Sequence, residues 1–143
     1  MKISILLPYK ENFSPSYAGA VSLFINDTLR ISKYKKFTTV YGNTLYKDIF
    51  KLKYKNINLS KKFFQSQNKK YVEEFIKYEL KNKSDLIELH NRPVYLSFLT
   101  NKLLNKTYIL YFHNDPLTMS GSKTIDERVF LMNNCFKIIF NSN

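Results

Sequence analysis

The chain has 143 residues with 23 Lys and Arg against 11 Asp and Glu, a formal net charge of +12; that is room for one domain with its own core and excludes a second full one. A single cysteine, Cys135, excludes an internal disulfide framework and a cysteine-built zinc site. The opening MKISILLPYKENF meets Pro8 and then charge too early for a signal peptide or a membrane span, so the expected setting is cytoplasmic and reducing, with peripheral contact at the inner face of a membrane left open.

The charge by itself points to a polyanion. The lysines, however, are spread through most of the chain among many Asn, Ile, Tyr and Phe, the residue set that AT-rich codons produce. Much of the charge is therefore compositional, and nucleic acid is not the expected partner.

In chain order, the apolar run Ile3 to Leu7, bounded by Pro8, predicts a strand buried on both faces. After a loop, Val21, Phe24, Ile25, Thr28 and Leu29 recur at helical spacing and predict an amphipathic helix from about Ala20 to Lys33. Phe37 to Tyr41 is a strand ending at Gly42 and Asn43, and a short strand is expected somewhere between Thr44 and Ser60. From Lys61 to Lys83, Phe64, Tyr71, Val72, Phe75, Ile76 and Leu80 share one side opposite lysines and glutamates, which predicts a long helix with a solvated outer face.

Leu86 to Leu89 is a strand ending in His90, Asn91 and Arg92. Pro93 suits a first helical turn, and Tyr95, Leu96, Leu99 and Leu103 continue as a helix. Tyr108 to Phe112 is the next strand. Thr124 and Glu127 form a T-x-x-E capping box ahead of Ile125, Val129 and Met132, so a helix starts at about Thr124, and Phe136 to Phe140 is the last strand. Strands alternating with helices, without a tight hairpin signal, predict a single-domain α/β fold: a doubly wound, Rossmann-like parallel sheet with helices on both faces.

Ligands of an open parallel sheet bind beyond the carboxyl ends of its strands, which makes three points candidates. The loop PYKENFSPSYAGA brings Gly19 to a helix start, where free N–H groups can meet a phosphate; it lacks both G-x-G-x-x-G and G-K-[ST] spacing, and close helix packing explains the small residues equally well. His90 and His113, the only histidines, stand at equivalent strand ends, each followed by Asn. Neutral imidazole suits hydrogen bonding to a sugar hydroxyl or general acid/base work, against the plainer account of two structural histidines.

Asp115 would orient His113 or bind substrate, or simply open a turn before Pro116. Arg92 offers a planar fork to phosphate or carboxylate, or is solvated at a helix start. No nucleophile elbow, H-E-x-x-H or other metal-site pattern occurs in the sequence, so no metal and no cofactor are expected.

KISILLP, the loop closing on AGA, DLIELHNRP, YILYFHND and the terminal KIIFNSN together resemble the N-terminal half of GT-B-fold glycosyltransferases of family 4. That resemblance spans essentially the whole chain and implies the acceptor-side domain of a retaining, nucleotide-sugar-dependent enzyme. Its substrates would be a nucleotide sugar and a glycan or lipid-linked acceptor, in cell-envelope polysaccharide synthesis.

The resemblance also implies that this chain is inactive alone and needs a C-terminal donor domain, or a partner subunit, that carries a pair of glutamates. By the same resemblance Gly19 approaches the donor diphosphate, His113 lies against the transferred sugar as the catalytic residue, and His90, Asn91, Arg92, Asn114 and Asp115 line the acceptor side of the cleft. The pattern's Gly-Gly pair is broken by Ala18. Two other expectations remain beside it: a non-catalytic basic binding module, and a free-standing flavodoxin-like nucleotide-binding domain.

Overall fold

A computed structural model describes residues 1–59 and 66–141. Six strands form one all-parallel sheet: β1 (Ile3–Leu6), β2 (Thr38–Gly42), β3 (Tyr54–Asn56), β4 (Leu86–His90), β5 (Thr107–Phe112) and β6 (Lys137–Phe140), in the order β3-β2-β1-β4-β5-β6. Four helices connect them: α1 (Ala20–Ile31), α2 (Gln67–Asn82), α3 (Val94–Thr100) and α4 (Ile125–Asn134). The predicted Rossmann-like α/β architecture is what forms, with the direction of winding reversing between β1 and β4.

Two apolar clusters cover the two faces. On one, Val21, Ile25 and Leu29 of α1 pack on Ile5, Leu7 and Val40. On the other, α2, α3 and Leu131 of α4 pack on Leu6, Ile87, Leu89, Leu110 and Phe112. The β2–β3 connection has no helix; Ile49, Phe50 and Leu52 of its loop close the α1 side instead. Among the described residues α1 is the one helix on that side, and β4 and β5 carry half-buried Glu88, Ile109 and Tyr111 there.

Several boundaries differ from the sequence pattern for identifiable reasons. Phe37 belongs to a single 3-10 turn and is exposed, so β2 starts at Thr38. The described part of the long helix runs from Gln67, and the predicted stretch 61–65, with Phe64, lies outside the described residues. Within α2, Leu80 faces solvent and Glu79 takes the fully buried place beside it.

Glu79 is buried because its carboxylate accepts from Ser4 Oγ at 2.6 Å and from the Ser84 backbone N–H at 2.6 Å, with Lys106 Nζ 3.7 Å away. A buried carboxylate is tolerable only with such partners. Helical periodicity sees polarity, not partners, and so it chose the wrong neighbour. Likewise Ile125, Val129 and Met132 of α4 are exposed and Leu131 alone is buried, although Thr124 and Glu127 do form the expected capping box.

Candidate functional site at the carboxyl rim of the sheet

The loop after β1, the turn after β4 and the turn after β5 all meet at the carboxyl end of the sheet, where the winding reverses. Side chains tie this rim together. Tyr71 Oη donates to the Leu7 carbonyl at 3.0 Å, and Tyr95 Oη accepts from the Tyr9 N–H at 3.0 Å while donating to Asn68 Oδ1 at 3.1 Å. Burial pushes both phenols above their ordinary pKa, so they remain protonated donors.

The two histidines come together. Strand pairing sets His90 opposite Tyr111, and the period-2 geometry of β4 puts Glu88 and His90 on the same face, beneath α1. His90 is fully buried. Its ring stacks on Tyr111 at 4.7 Å and 6°, and Phe24 of α1 meets His113 edge-on at 4.9 Å and 74°.

A continuous hydrogen-bonded chain follows: Glu88 Oε1 to His90 Nε2 at 2.7 Å, His90 Nδ1 to His113 Nε2 at 2.8 Å, and His113 Nδ1 to Asn141 Nδ2 at 2.9 Å. Burial, then the repulsion that a second protonated ring would meet at His90, hold His113 below its ordinary pKa, with Glu88 opposing. His113 is thus kept toward its neutral form.

Asn91 fixes the backbone around this chain. Its φ of 51° lies in the left-handed region that Asn tolerates better than most residues. From there Asn91 Oδ1 accepts from the His113 N–H at 2.7 Å, and Asn91 Nδ2 donates to Asn114 Oδ1 at 3.3 Å.

The remaining candidates divide. His113, Asn114 and Asp115 share the β5 turn, the last two exposed. His90 and Asn91, expected on the acceptor side of a cleft, are buried in this chain, where both hydrogen-bond to His113. Arg92 spends one guanidinium nitrogen on the Asn91 carbonyl at 2.8 Å. Asp115 accepts from the Leu117 N–H at 2.9 Å and so performs the turn-opening role open to it before Pro116.

Gly19 is the N-cap of α1, and its φ of −78° needs no glycine. Space is what requires it, since a Cβ there would lie 2.2 Å from Glu11 Oε1. Glu11 Oε1 accepts from the Ser22 N–H at 3.0 Å, supplying the cap that Gly19 has no side chain to give. The positive pole of α1, where a phosphate was expected, thus already holds a carboxylate of this chain. A phosphate would meet the free backbone only after Glu11 moved aside.

Sequence reasoning passed over Glu11, Glu88 and Asn141. Glu88 had a signal, because E-x-H within a strand places both side chains on one face. Among the described residues no group of His, Cys, Asp and Glu could hold a metal ion, and no helix is long and apolar enough to cross a membrane. Comparison with family models, curated proteins and solved structures gave no match to this chain.

Proposed function

We propose that the chain is the acceptor-side unit of a retaining, nucleotide-sugar-dependent glycosyltransferase of the GT-B type. In this reading it works with a second, donor-binding unit, in a longer chain or in a partner, and transfers no sugar alone. A glycan or lipid-linked acceptor of the cell envelope is the substrate this unit holds, at a cytoplasmic site that reaches the membrane surface only peripherally.

The observation that carries this reading is the position of His113. It stands partly exposed at the end of β5, where strand ends and the start of α1 converge, and open parallel sheets bind ligands at such a rim. Neutral imidazole beside exposed Asn114 and Asp115 is a set suited to hydroxyl-rich ligands. Gly19 and the α1 N-terminus would meet the donor diphosphate from the same rim once Glu11 is displaced.

One observation favours a second reading. Arg30, Lys35 and Lys51 surround Ile49 and Phe50 in a hollow of about 410 Å³ behind α1, which suits a polyanion. Titrating the isotope-labelled chain with nucleotide sugars, with oligosaccharides and with single-stranded DNA separates the two. The transferase reading expects saturable shifts of His113 and Asn114 signals with a sugar ligand, little changed by salt. Binding of DNA alone, with affinity falling steeply as salt rises and with His113 unmoved, would replace it.

A further inference from the structure

Three hydrogen bonds join Glu88, His90, His113 and Asn141 into one line, and its direction follows from its ends. An ionised carboxylate only accepts, so Glu88 requires the proton of His90 to sit on Nε2. Where that is the only proton His90 carries, its Nδ1 holds a lone pair, and the His113 nitrogen facing it, Nε2, must carry hydrogen. His113 Nδ1 is left with a lone pair, which takes the Nδ2–H of Asn141. Asn141 does not set this direction, because its amide offers a donor at one end and an acceptor at the other.

We propose that Glu88 is a positioning residue: acting through buried His90, it fixes the tautomer of His113 so that Nδ1 faces the rim as a hydrogen-bond acceptor. Reversal would need either a protonated Glu88 or an imidazolium inside the line, together with a turned Asn141 amide. Glu88 is 17% exposed and borders a cavity of about 190 Å³ lined by Phe24, Thr28, Ser32 and Tyr34. Tyr111 stacks on His90 and Phe24 meets His113 edge-on, contacts that restrict rotation of both rings.

The group that replaces the Asn141 amide at His113 Nδ1 must therefore donate: a hydroxyl or an N–H, not a phosphate or carboxylate oxygen. That this donor is a sugar hydroxyl rests on the function proposed above; the tautomer does not. His113 would hold the ligand at neutral pH as an acceptor and would not supply it with a proton.

Long-range ¹H–¹⁵N spectra of the imidazoles test this directly, since the chain has two histidines and one His113→Gln variant assigns both. Expected near neutral pH are both rings protonated at Nε2 with His113 Nδ1 bare. In Glu88→Gln, whose amide can donate as well as accept, a share of His113 should move to the Nδ1–H form, and Glu88→Leu should show the same shift with the backbone spectrum still folded. A wild-type His113 protonated at Nδ1 overturns the proposal, as does a folded Glu88 variant with unchanged His113 nitrogens. Should neither variant fold, the wild-type tautomer alone decides. Oligosaccharide that leaves a correctly tautomerised His113 unperturbed would count against the sugar-binding function and not against the role of Glu88.

Discussion

At the scale of single residues, the contact between Gly19 and Glu11 decides how the start of α1 is held. Gly19→Ala would force the Glu11 carboxylate off the Ser22 N–H, and loss of a helix cap costs roughly 0.5–2 kcal/mol. Urea denaturation should give that loss for Gly19→Ala and a similar one for Glu11→Ala. The double variant should be no worse than either, because both act on the same bond. Additive losses would show instead that Gly19 matters through the backbone alone. The same cycle bears on the rim, since Glu11→Ala leaves the N-terminal amides of α1 open to an added anion.

Elements differ widely in how firmly the sheet holds them. In α4 only Leu131 is buried, so this helix leans on its N-terminus, where Thr124 Oγ1 accepts from the Glu127 N–H at 3.2 Å and Glu127 Oε2 accepts from the Thr124 N–H at 3.0 Å. Thr124→Ala should cost about 1 kcal/mol, and hydrogen exchange should place that loss in α4 amides while those of β1 and β4 stay protected. A uniform acceleration across the sheet would mean that α4 opens only with the whole domain.

The capping box was legible because its two partners are three residues apart in sequence. The strands were legible because continuous apolar runs mark buried parallel strands, and His90 with His113 because equivalent strand ends face one rim. Glu79, Glu11 and the Glu88 line were not, because each is defined by a partner tens of residues away or on another element. A pattern of periods carries no record of which polar groups meet.

Across the whole molecule, the sheet is fastened by polar groups at both ends. Tyr71 and Tyr95 hold the carboxyl rim, and Glu79 joins β1 to the α2–β4 turn at the opposite end. Glu79→Ala would leave Ser4 and the Ser84 backbone without their acceptor; at about 1–3 kcal/mol for each buried group left unmade, a loss of roughly 2–6 kcal/mol is expected in urea or thermal melts. A loss below about 1 kcal/mol would mean that water replaces the carboxylate there.

The place of β1 between β2 and β4 also governs how the chain can assemble while it is being made. When β1, α1 and β2 have left the ribosome, one edge of β1 is paired and the other, apolar on both faces, has no neighbour until residues 86–90 emerge. At about 5–20 residues per second, the nascent chain carries that open strand for a few seconds, together with the Ser4 hydroxyl that Glu79 will later engage. Until residues 86–90 emerge, β1 therefore presents an unpaired strand edge of the kind that invites wrong pairing and that chaperones shield.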